Sequence, residues 1–160
     1  MGNIMIVDDD KLILDLLERF LENMNVNNID TFSSAEVALS KVRTTKYDVI
    51  ISDYRMPDMD GVTFLKKCRS IQPSATRIML SAICDKTTLY GAINEAHASR
   101  YIEKPCHADA FRSIVSGVLS EREAPVQDDI KELIGIIRGL ETIIDDQAKM
   151  IEELKFNTPK

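Results

Sequence analysis

The chain has little of what several common protein classes require. Its 160 residues include only three cysteines, an odd number without a C-x-x-C pair, which argues against a zinc site or a disulfide framework. No apolar run approaches the roughly 18 residues of a transmembrane helix. No charged leader precedes a small-residue cleavage site. These absences predict a cytoplasmic protein without a signal peptide or a membrane segment.

Basic residues are outnumbered by acidic ones. The 20 Lys and Arg residues against 26 Asp and Glu residues give a formal net charge of -6 at pH 7. This balance argues against a nucleic-acid surface, which normally needs a basic patch, so we expect no direct DNA binding. Apolar residues make up 44% of the chain, which supports a real core, and the length fits one ordinary domain with an appendage.

Short apolar runs alternate with stretches in which apolar residues recur at helical spacing. Leu12 and Leu16 belong to the first such stretch and Val37 to the second. Five β-α repeats of this kind predict an α/β fold, in which a doubly wound, five-stranded parallel sheet carries helices on both faces. The predicted strands span residues 3–7, 28–32, 47–52, 77–81 and 100–103.

Asp53 is the most informative residue of the chain. It ends an apolar run and is followed at once by the turn-forming residues 54–61. A second acidic cluster, Asp8-Asp9-Asp10, follows the first apolar run. Because parallel sheets hold their ligands at the carboxyl ends of the strands, two strands that end in acids predict one acidic pocket for a hard cation.

Four strand ends carry sequence motifs that occur in a fixed order. Together they resemble the receiver domain of two-component response regulators, over about residues 1–122. The resemblance implies a flavodoxin-like sheet of order 2-1-3-4-5. The motifs are Val7-Asp8-Asp9-Asp10, Asp53-Tyr54-Arg55-Met56-Pro57-Asp58-Met59-Asp60-Gly61, Met79-Leu80-Ser81-Ala82 and Tyr101-Ile102-Glu103-Lys104-Pro105.

The resemblance implies that Asp53 is the nucleophile that becomes an aspartyl phosphate. The donor would be a phosphohistidine on a histidine kinase or a phosphotransfer protein. Mg²⁺ prefers oxygen ligands and retains several waters. By the same resemblance, Asp9, Asp53 and the backbone carbonyl of Arg55 would bind the ion directly, and Asp8 through a metal-bound water. The chain would then catalyse only its own phosphorylation and dephosphorylation and would not be an enzyme in the ordinary sense.

Further roles follow from the same resemblance. Lys104 would pair first with Asp53 and then with the phosphoryl oxygens, and Ser81 would donate a hydroxyl hydrogen bond to the phosphoryl group. Movement of Ser81 would let Tyr101 turn inward as part of a conformational switch. The Lys104-Pro105 bond would be cis. His97 stands where receivers usually have glycine, at a position expected to take a positive φ.

The tail after Pro125 has a different pattern. Residues 123–127 read as a linker, and residues 128–156 as a coiled-coil helix for oligomerisation. Isoleucine at position a with leucine at position d favours a parallel dimer. The a positions are Ile130, Ile137, Ile144 and Ile151, and the d positions are Leu133, Leu140, Gln147 and Leu154.

The tail pattern leaves alternatives open. Ile134, Ile136, Ile143 and Met150 widen the apolar stripe beyond what two strands need, so a trimer, a tetramer or a helix folded back on the first domain also fits. Gln147 is polar at a d position and could set the register.

Two other functions compete with a phosphoacceptor. A receiver with a degenerate pocket would act as a phosphorylation-independent scaffold. A haloacid-dehalogenase-like phosphatase would need Asp-x-Asp-x-Thr/Val, but Leu12 occupies the last position after Asp8 and Asp10. Since no recognisable output domain follows residue 125, we expect a regulator whose output is a contact with another protein.

Overall fold

A computed structural model describes residues 2–82, residues 94–122 and residue 137 of the chain. Five strands are described: β1 (Asn3–Val7), β2 (Asn28–Phe32), β3 (Val49–Asp53), β4 (Thr76–Ser81) and β5 (Arg100–Glu103). Three helices lie between them: α1 (Lys11–Leu21), α2 (Ala35–Val42) and α3 (Gly61–Ile71). Residues 94–96 (α4) and 108–122 (α5) are also helical.

The strands form one sheet in the order β2-β1-β3-β4-β5, and all neighbouring pairs are parallel. This confirms the predicted fold class and strand order. β3 begins and ends slightly later than the sequence pattern predicted, so Asp53 is the last residue of the strand and not the first residue after it. The pairing brings the carboxyl ends of β1, β3, β4 and β5 to one edge of the sheet.

Both faces of the sheet are buried, as expected for a parallel sheet covered by helices. Alternate β1 residues point to opposite faces. Met5 packs in a cluster that includes Phe64 of α3, and Ile4 packs in a cluster that includes Leu17 of α1 and Phe111 of α5. All five of these side chains are essentially inaccessible to solvent.

The first three helices begin at polar N-caps, which satisfy backbone N–H groups that the helix leaves unpaired. The cap residues are Asp10 for α1, Ser34 for α2 and Asp60 for α3. The periodic pattern overstates burial at three places in α1 and α2. Leu12 is 77% exposed, Val37 58% and Leu16 43%, so none of them belongs to the core.

The chain divides into two compact units, Met1–Ser120 and Glu121–Lys160. The predicted linker, residues 123–127, lies outside the described residues. So does the predicted coiled coil, residues 128–156, apart from Ile137, which is helical and half exposed. Within the described ranges, no helix combines the length and the apolar character needed to cross a membrane.

Candidate functional site

Three charged side chains from three strand ends meet in one place. Lys104 Nζ lies 2.5 Å from Asp53 Oδ1 and also donates a hydrogen bond to Asp8 Oδ2. Asp53 is 7% exposed and Asp8 only 1% exposed. Two nearly buried carboxylates therefore share one ammonium group, and the sheet topology brings them together across 45 residues of sequence.

The backbone around Asp53 fixes its position. The Arg55 N–H donates to Asp53 Oδ2 at 2.7 Å, so both carboxylate oxygens have a donor. The Tyr54 N–H donates to the Leu80 carbonyl at 2.8 Å, which extends the contact between β3 and β4 by one residue. The Gly61 N–H donates to the Tyr54 carbonyl at 2.9 Å and closes the loop between β3 and α3.

Burial and pairing have opposite effects on the protonation of this cluster. Burial raises the pKa of Asp8, and hydrogen bonds from Lys104 and the Asp10 N–H oppose that rise without cancelling it. Burial lowers the pKa of Lys104, but its hydrogen bonds to Asp53 and Asp8 outweigh burial and raise it above the ordinary value. The ammonium form of Lys104 is therefore strongly favoured, and the Asp8 carboxylate is destabilised by desolvation.

A cavity of about 320 Å³ opens beside Asp53. Ser81, which is 1% exposed, lines it together with Lys104. The Ser81 carbonyl accepts hydrogen bonds from the Lys104 N–H at 2.9 Å and from the Tyr101 hydroxyl at 3.4 Å. The lining residues are Asp53, Tyr54, Arg55, Ser81, Ala82 and Lys104.

The three acidic residues after β1 lie in three different environments. Asp8 is buried against Lys104, whereas Asp9 is exposed. Asp10 caps α1 by accepting the Leu12 N–H at 2.8 Å. Across residues 2–82 and 94–122, no group of three or more His, Cys, Asp or Glu side chains is arranged to hold a metal ion. The structure thus brings Asp8 and Asp53 together and leaves Asp9 at the surface.

A second, apolar pocket of about 230 Å³ adjoins the cavity beside Asp53 and shares Ala82 and Lys104 with it. The sequence pattern did not reveal this pocket, because its walls come from α1 and from the loop after β5. Leu16, at its rim, is 43% exposed. The other lining residues are Ile13, Leu17, Leu80, Pro105 and Cys106.

Two acids of the loop after Asp53 act as helix caps. Asp60 accepts the Thr63 N–H at 2.9 Å and the Thr63 hydroxyl at 2.8 Å at the start of α3. Asp58 contacts a different helix, because Ser34 Oγ donates to Asp58 Oδ2 at 2.7 Å at the start of α2. No local sequence signal indicates this second contact, since it joins positions 24 residues apart.

Other sequence-based expectations concern backbone geometry and cysteine. The Lys104-Pro105 bond is cis, and His97 has a φ of 50°. The His97 carbonyl accepts a hydrogen bond from the Arg77 side chain, whose burial the strand pattern did not predict.

Cys68 is fully buried, and burial raises the pKa of its thiol to about 12, which fits a structural role.

Comparisons with known proteins agree with this geometry. The family model of the response regulator receiver domain matches residues 4–116. The transcriptional regulator NtrC of Klebsiella pneumoniae is 32% identical over 141 residues, which cover 84% of this chain and 30% of that protein. The chain therefore spans less than a third of the length of this relative.

Solved structures show the same fold. The receiver domain of an HD domain-containing protein from Pseudomonas fluorescens Pf-5 matches with a TM-score of 0.70 and 29% identity, covering 76% of this chain and 97% of that one. A CheY-like receiver from Methanospirillum hungatei JF-1 matches with a TM-score of 0.72 and 26% identity, covering 78% and 98%. On this evidence the chain belongs to the response regulator receiver domain family.

Proposed function

We propose that this protein is a response regulator that accepts a phosphoryl group on Asp53 from a histidine kinase or a phosphotransfer protein. The single observation that carries the proposal is the Asp53–Lys104–Asp8 cluster beside a cavity of about 320 Å³. Two nearly buried carboxylates share one ammonium group beside a cleft, and ionisable groups with perturbed pKa values in clefts are candidates for functional sites.

Phosphoryl transfer requires little of the protein beyond position and charge. An oxygen of the Asp53 carboxylate attacks phosphorus, and the bond between phosphorus and the donor imidazole nitrogen breaks. The electron pair of that bond stays on the imidazole. Lys104 and the Ser81 hydroxyl would stabilise the negative charge on the phosphoryl oxygens in the transition state.

The donor set fits a magnesium ion. Asp8 is a desolvated carboxylate whose pKa is raised by burial, and a divalent cation would compensate its charge better than one shared ammonium does. Mg²⁺ is commonly bound by one or two carboxylates with several waters, so a dedicated cage of protein ligands is not required. Asp9, Asp53 and the Arg55 carbonyl would hold the ion directly and Asp8 through a metal-bound water, and the ion would supply positive charge to the phosphoryl group.

The response to phosphorylation would pass through Ser81 and Tyr101. The Tyr101 hydroxyl already lies 3.4 Å from the Ser81 carbonyl, and that carbonyl also accepts the Lys104 N–H. A shift of Ser81 toward a phosphoryl group would leave space behind it and let Tyr101 turn inward. We expect this change to alter the surface formed by α4, β5 and α5, as a local charge event that biases a two-state element.

The phosphodonor would contact the apolar pocket beside the cavity. Asp53 is only 7% exposed, so a donor histidine must enter the cavity while the protein around it covers the rim. Leu16 lines the apolar pocket and is 43% exposed, and Leu12, four residues before it on α1, is 77% exposed. Substituting both by serine should slow phosphoryl transfer from a protein donor and leave phosphorylation by acetyl phosphate unchanged.

The proposed domain organisation is a receiver in residues 1–122, a linker in residues 123–127 and a coiled coil in residues 128–156. The heptad pattern and the half-exposed Ile137 support oligomerisation through this helix. Mass measurement in solution with and without beryllofluoride, a phosphate mimic, would test whether the chain is a dimer or a tetramer and whether phosphorylation changes that state.

Intact-mass measurement after treatment with acetyl phosphate and Mg²⁺ tests the phosphoacceptor directly. One phosphoryl adduct is expected, and it should disappear in Asp53→Asn and persist in the matched variant Asp48→Asn, which changes the acid directly before β3. Absence of an adduct in the wild type would favour a scaffold. An adduct that survives Asp53→Asn would exclude Asp53 as the acceptor, and continuous turnover of phosphate monoesters would indicate a phosphatase.

A further inference from the structure

The carboxylate of Asp58 joins the loop after the phosphoacceptor to a helix that is distant in sequence. Its Oδ2 accepts the Ser34 hydroxyl at 2.7 Å and the Glu36 N–H at 3.2 Å, and its Oδ1 accepts the Met59 N–H at 2.9 Å. Two of these three donors belong to the N-terminus of α2, one on the N-cap Ser34 and one on Glu36 in the first turn. Burial raises the pKa of Asp58, but these hydrogen bonds outweigh burial and hold the pKa below its ordinary value.

The contact completes the cap of α2. Ser34 is the N-cap. Its hydroxyl accepts a long hydrogen bond of 3.4 Å from the Val37 N–H and donates a shorter one to Asp58. The Glu36 N–H bonds to Asp58. A negative charge at this end of a helix is also favoured by the helix dipole. Asp58 therefore acts as the second acceptor of the α2 N-terminus and is supplied by another part of the chain.

The same contact holds the outer bend of the loop. The loop is fixed at its start by the Tyr54 N–H on Leu80 and at its end by the Gly61 N–H on Tyr54. Between these points, Met56 is buried in the core, and Asp58 is tied to α2. Arg55 lies within this stretch, and its carbonyl is the proposed backbone ligand of the metal ion.

We propose that Asp58 is a positioning residue, which holds the Arg55 carbonyl in place for the metal ion by tying the loop to the N-terminus of α2. The inference rests on the proposed function, because it assumes a metal ion in the cavity. Ser34 is its partner in this role. Through this pair, the position of the Arg55 carbonyl depends on the α2 N-terminus, although neither Asp58 nor Ser34 lines the cavity.

A magnesium titration of the full chain, followed by backbone amide NMR shifts, tests the proposal. Asp58→Ala should raise the dissociation constant for Mg²⁺ about fivefold, a factor that corresponds to the net free energy of one ordinary hydrogen bond. Ser34→Gly should also raise it, since glycine remains an acceptable N-cap but lacks the hydroxyl. Asp58→Asn retains an acceptor oxygen and should restore part of the affinity.

Amide hydrogen exchange of residues 55–59 in the metal-free protein provides a second readout that needs no ligand. It should accelerate in Asp58→Ala and in Ser34→Gly. Val37→Gly is the matched control, because it weakens α2 at an exposed position without removing either partner. It should leave both the exchange of the loop and the Mg²⁺ affinity unchanged.

Three results would overturn the proposal: an unchanged Mg²⁺ affinity in Asp58→Ala, an equal loss in Val37→Gly, or additive effects of Ser34→Gly and Asp58→Ala in a double-mutant cycle. If Asp58→Ala does not fold, the Mg²⁺ affinity and the loop exchange of Asp58→Asn and Ser34→Gly are compared with those of Val37→Gly instead. Failure of the wild type to bind Mg²⁺ or to take up a phosphoryl group would contradict the proposed function. The loop-exchange comparison would then still report on the contact itself.

Discussion

A side chain at Gly61 would collide with the backbone of Asp53. A Cβ atom on Gly61 would lie 2.1 Å from the Asp53 carbonyl oxygen, far inside van der Waals contact. The first residue of α3 thus packs directly on the peptide that carries the proposed phosphoacceptor. The requirement for glycine here is one of space, because Gly61 is not among the residues with positive φ.

Gly61→Ala should therefore destabilise the protein and displace Asp53. Overpacking a closed site typically costs about 1–3 kcal/mol, and because the opposing atoms are backbone atoms we expect the upper part of that range. Urea denaturation measures the loss, and intact mass after acetyl phosphate treatment measures the reduced phosphorylation. Gly117→Ala on α5 is the matched control, since nothing lies within 4 Å of its added Cβ. A stability for Gly61→Ala equal to that of the wild type would contradict this packing.

Asp8→Asn should make the metal-free protein more stable at pH 7. Burial raises the pKa of Asp8, so between the unfolded value near 3.8 and the raised folded value the native state binds more protons than the unfolded state. The contribution of Asp8 to the free energy of unfolding is therefore present at low pH, and it is lost as the pH rises through the pKa of Asp8 in the folded protein. Asparagine keeps an oxygen for the Asp10 N–H but carries no buried charge.

Urea denaturation in the presence of a chelator, at a series of pH values from acid to neutral, checks this prediction. The advantage of Asp8→Asn should grow as the pH rises, and its affinity for Mg²⁺ should fall. A variant that is less stable than the wild type at pH 7 would show that the Lys104 contact outweighs the desolvation of Asp8.

Lys104→Met should destabilise the metal-free protein at neutral pH, because it leaves Asp8 and Asp53 without their shared donor. Hydrogen bonds to charged groups contribute about 1.5–3 kcal/mol, and we expect a loss of about 2 kcal/mol. The pKa of Lys104 is raised, so its contribution is fully present below the unfolded value of 10.5 and is lost as the pH rises through the folded value.

The stability difference between wild type and Lys104→Met should thus be constant around neutral pH and shrink above pH 10.5. Denaturation curves of both proteins over the same pH series measure it, and their comparison removes the effect of tyrosine ionisation. A difference that shrinks already between pH 7 and 9 would mean that Lys104 does not titrate as described.

Asp60→Ala should weaken α3 and disturb the loop that follows Asp53. The variant loses an N-cap that accepts both the Thr63 N–H and the Thr63 hydroxyl, and such losses cost about 1 kcal/mol. Thermal unfolding measures the effect. Asp60→Asn should recover most of the lost stability, because asparagine is an equally good N-cap, and equal Tm values for Asp60→Ala and wild type would refute this role.

The sequence by itself determined the strands, their parallel arrangement in one sheet, and the presence of acidic residues at the carboxyl ends of β1 and β3. Runs of apolar residues between turn signals specify buried strands, since both the period and the boundaries are local properties. The place of Asp53 at the carboxyl end of an apolar run follows from the sequence alone, although β3 extends one residue further than the pattern predicted and includes it. Three N-caps, Asp10, Ser34 and Asp60, are likewise encoded within a few residues of the helices that they begin.

Only the tertiary structure decided which acids share a donor. Asp8 and Asp9 are adjacent and chemically identical, yet one is buried on Lys104 and the other is exposed. The difference depends on a lysine 96 residues away, which no local pattern contains.

The same reason applies at two other places. Leu12 fits the helical period of α1 but is 77% exposed, because burial of a helical position depends on which other elements pack against it. Asp58 binds Ser34 across 24 residues. Local sequence specifies the elements, whereas the contacts that place charge around Asp53 depend on how those elements pack.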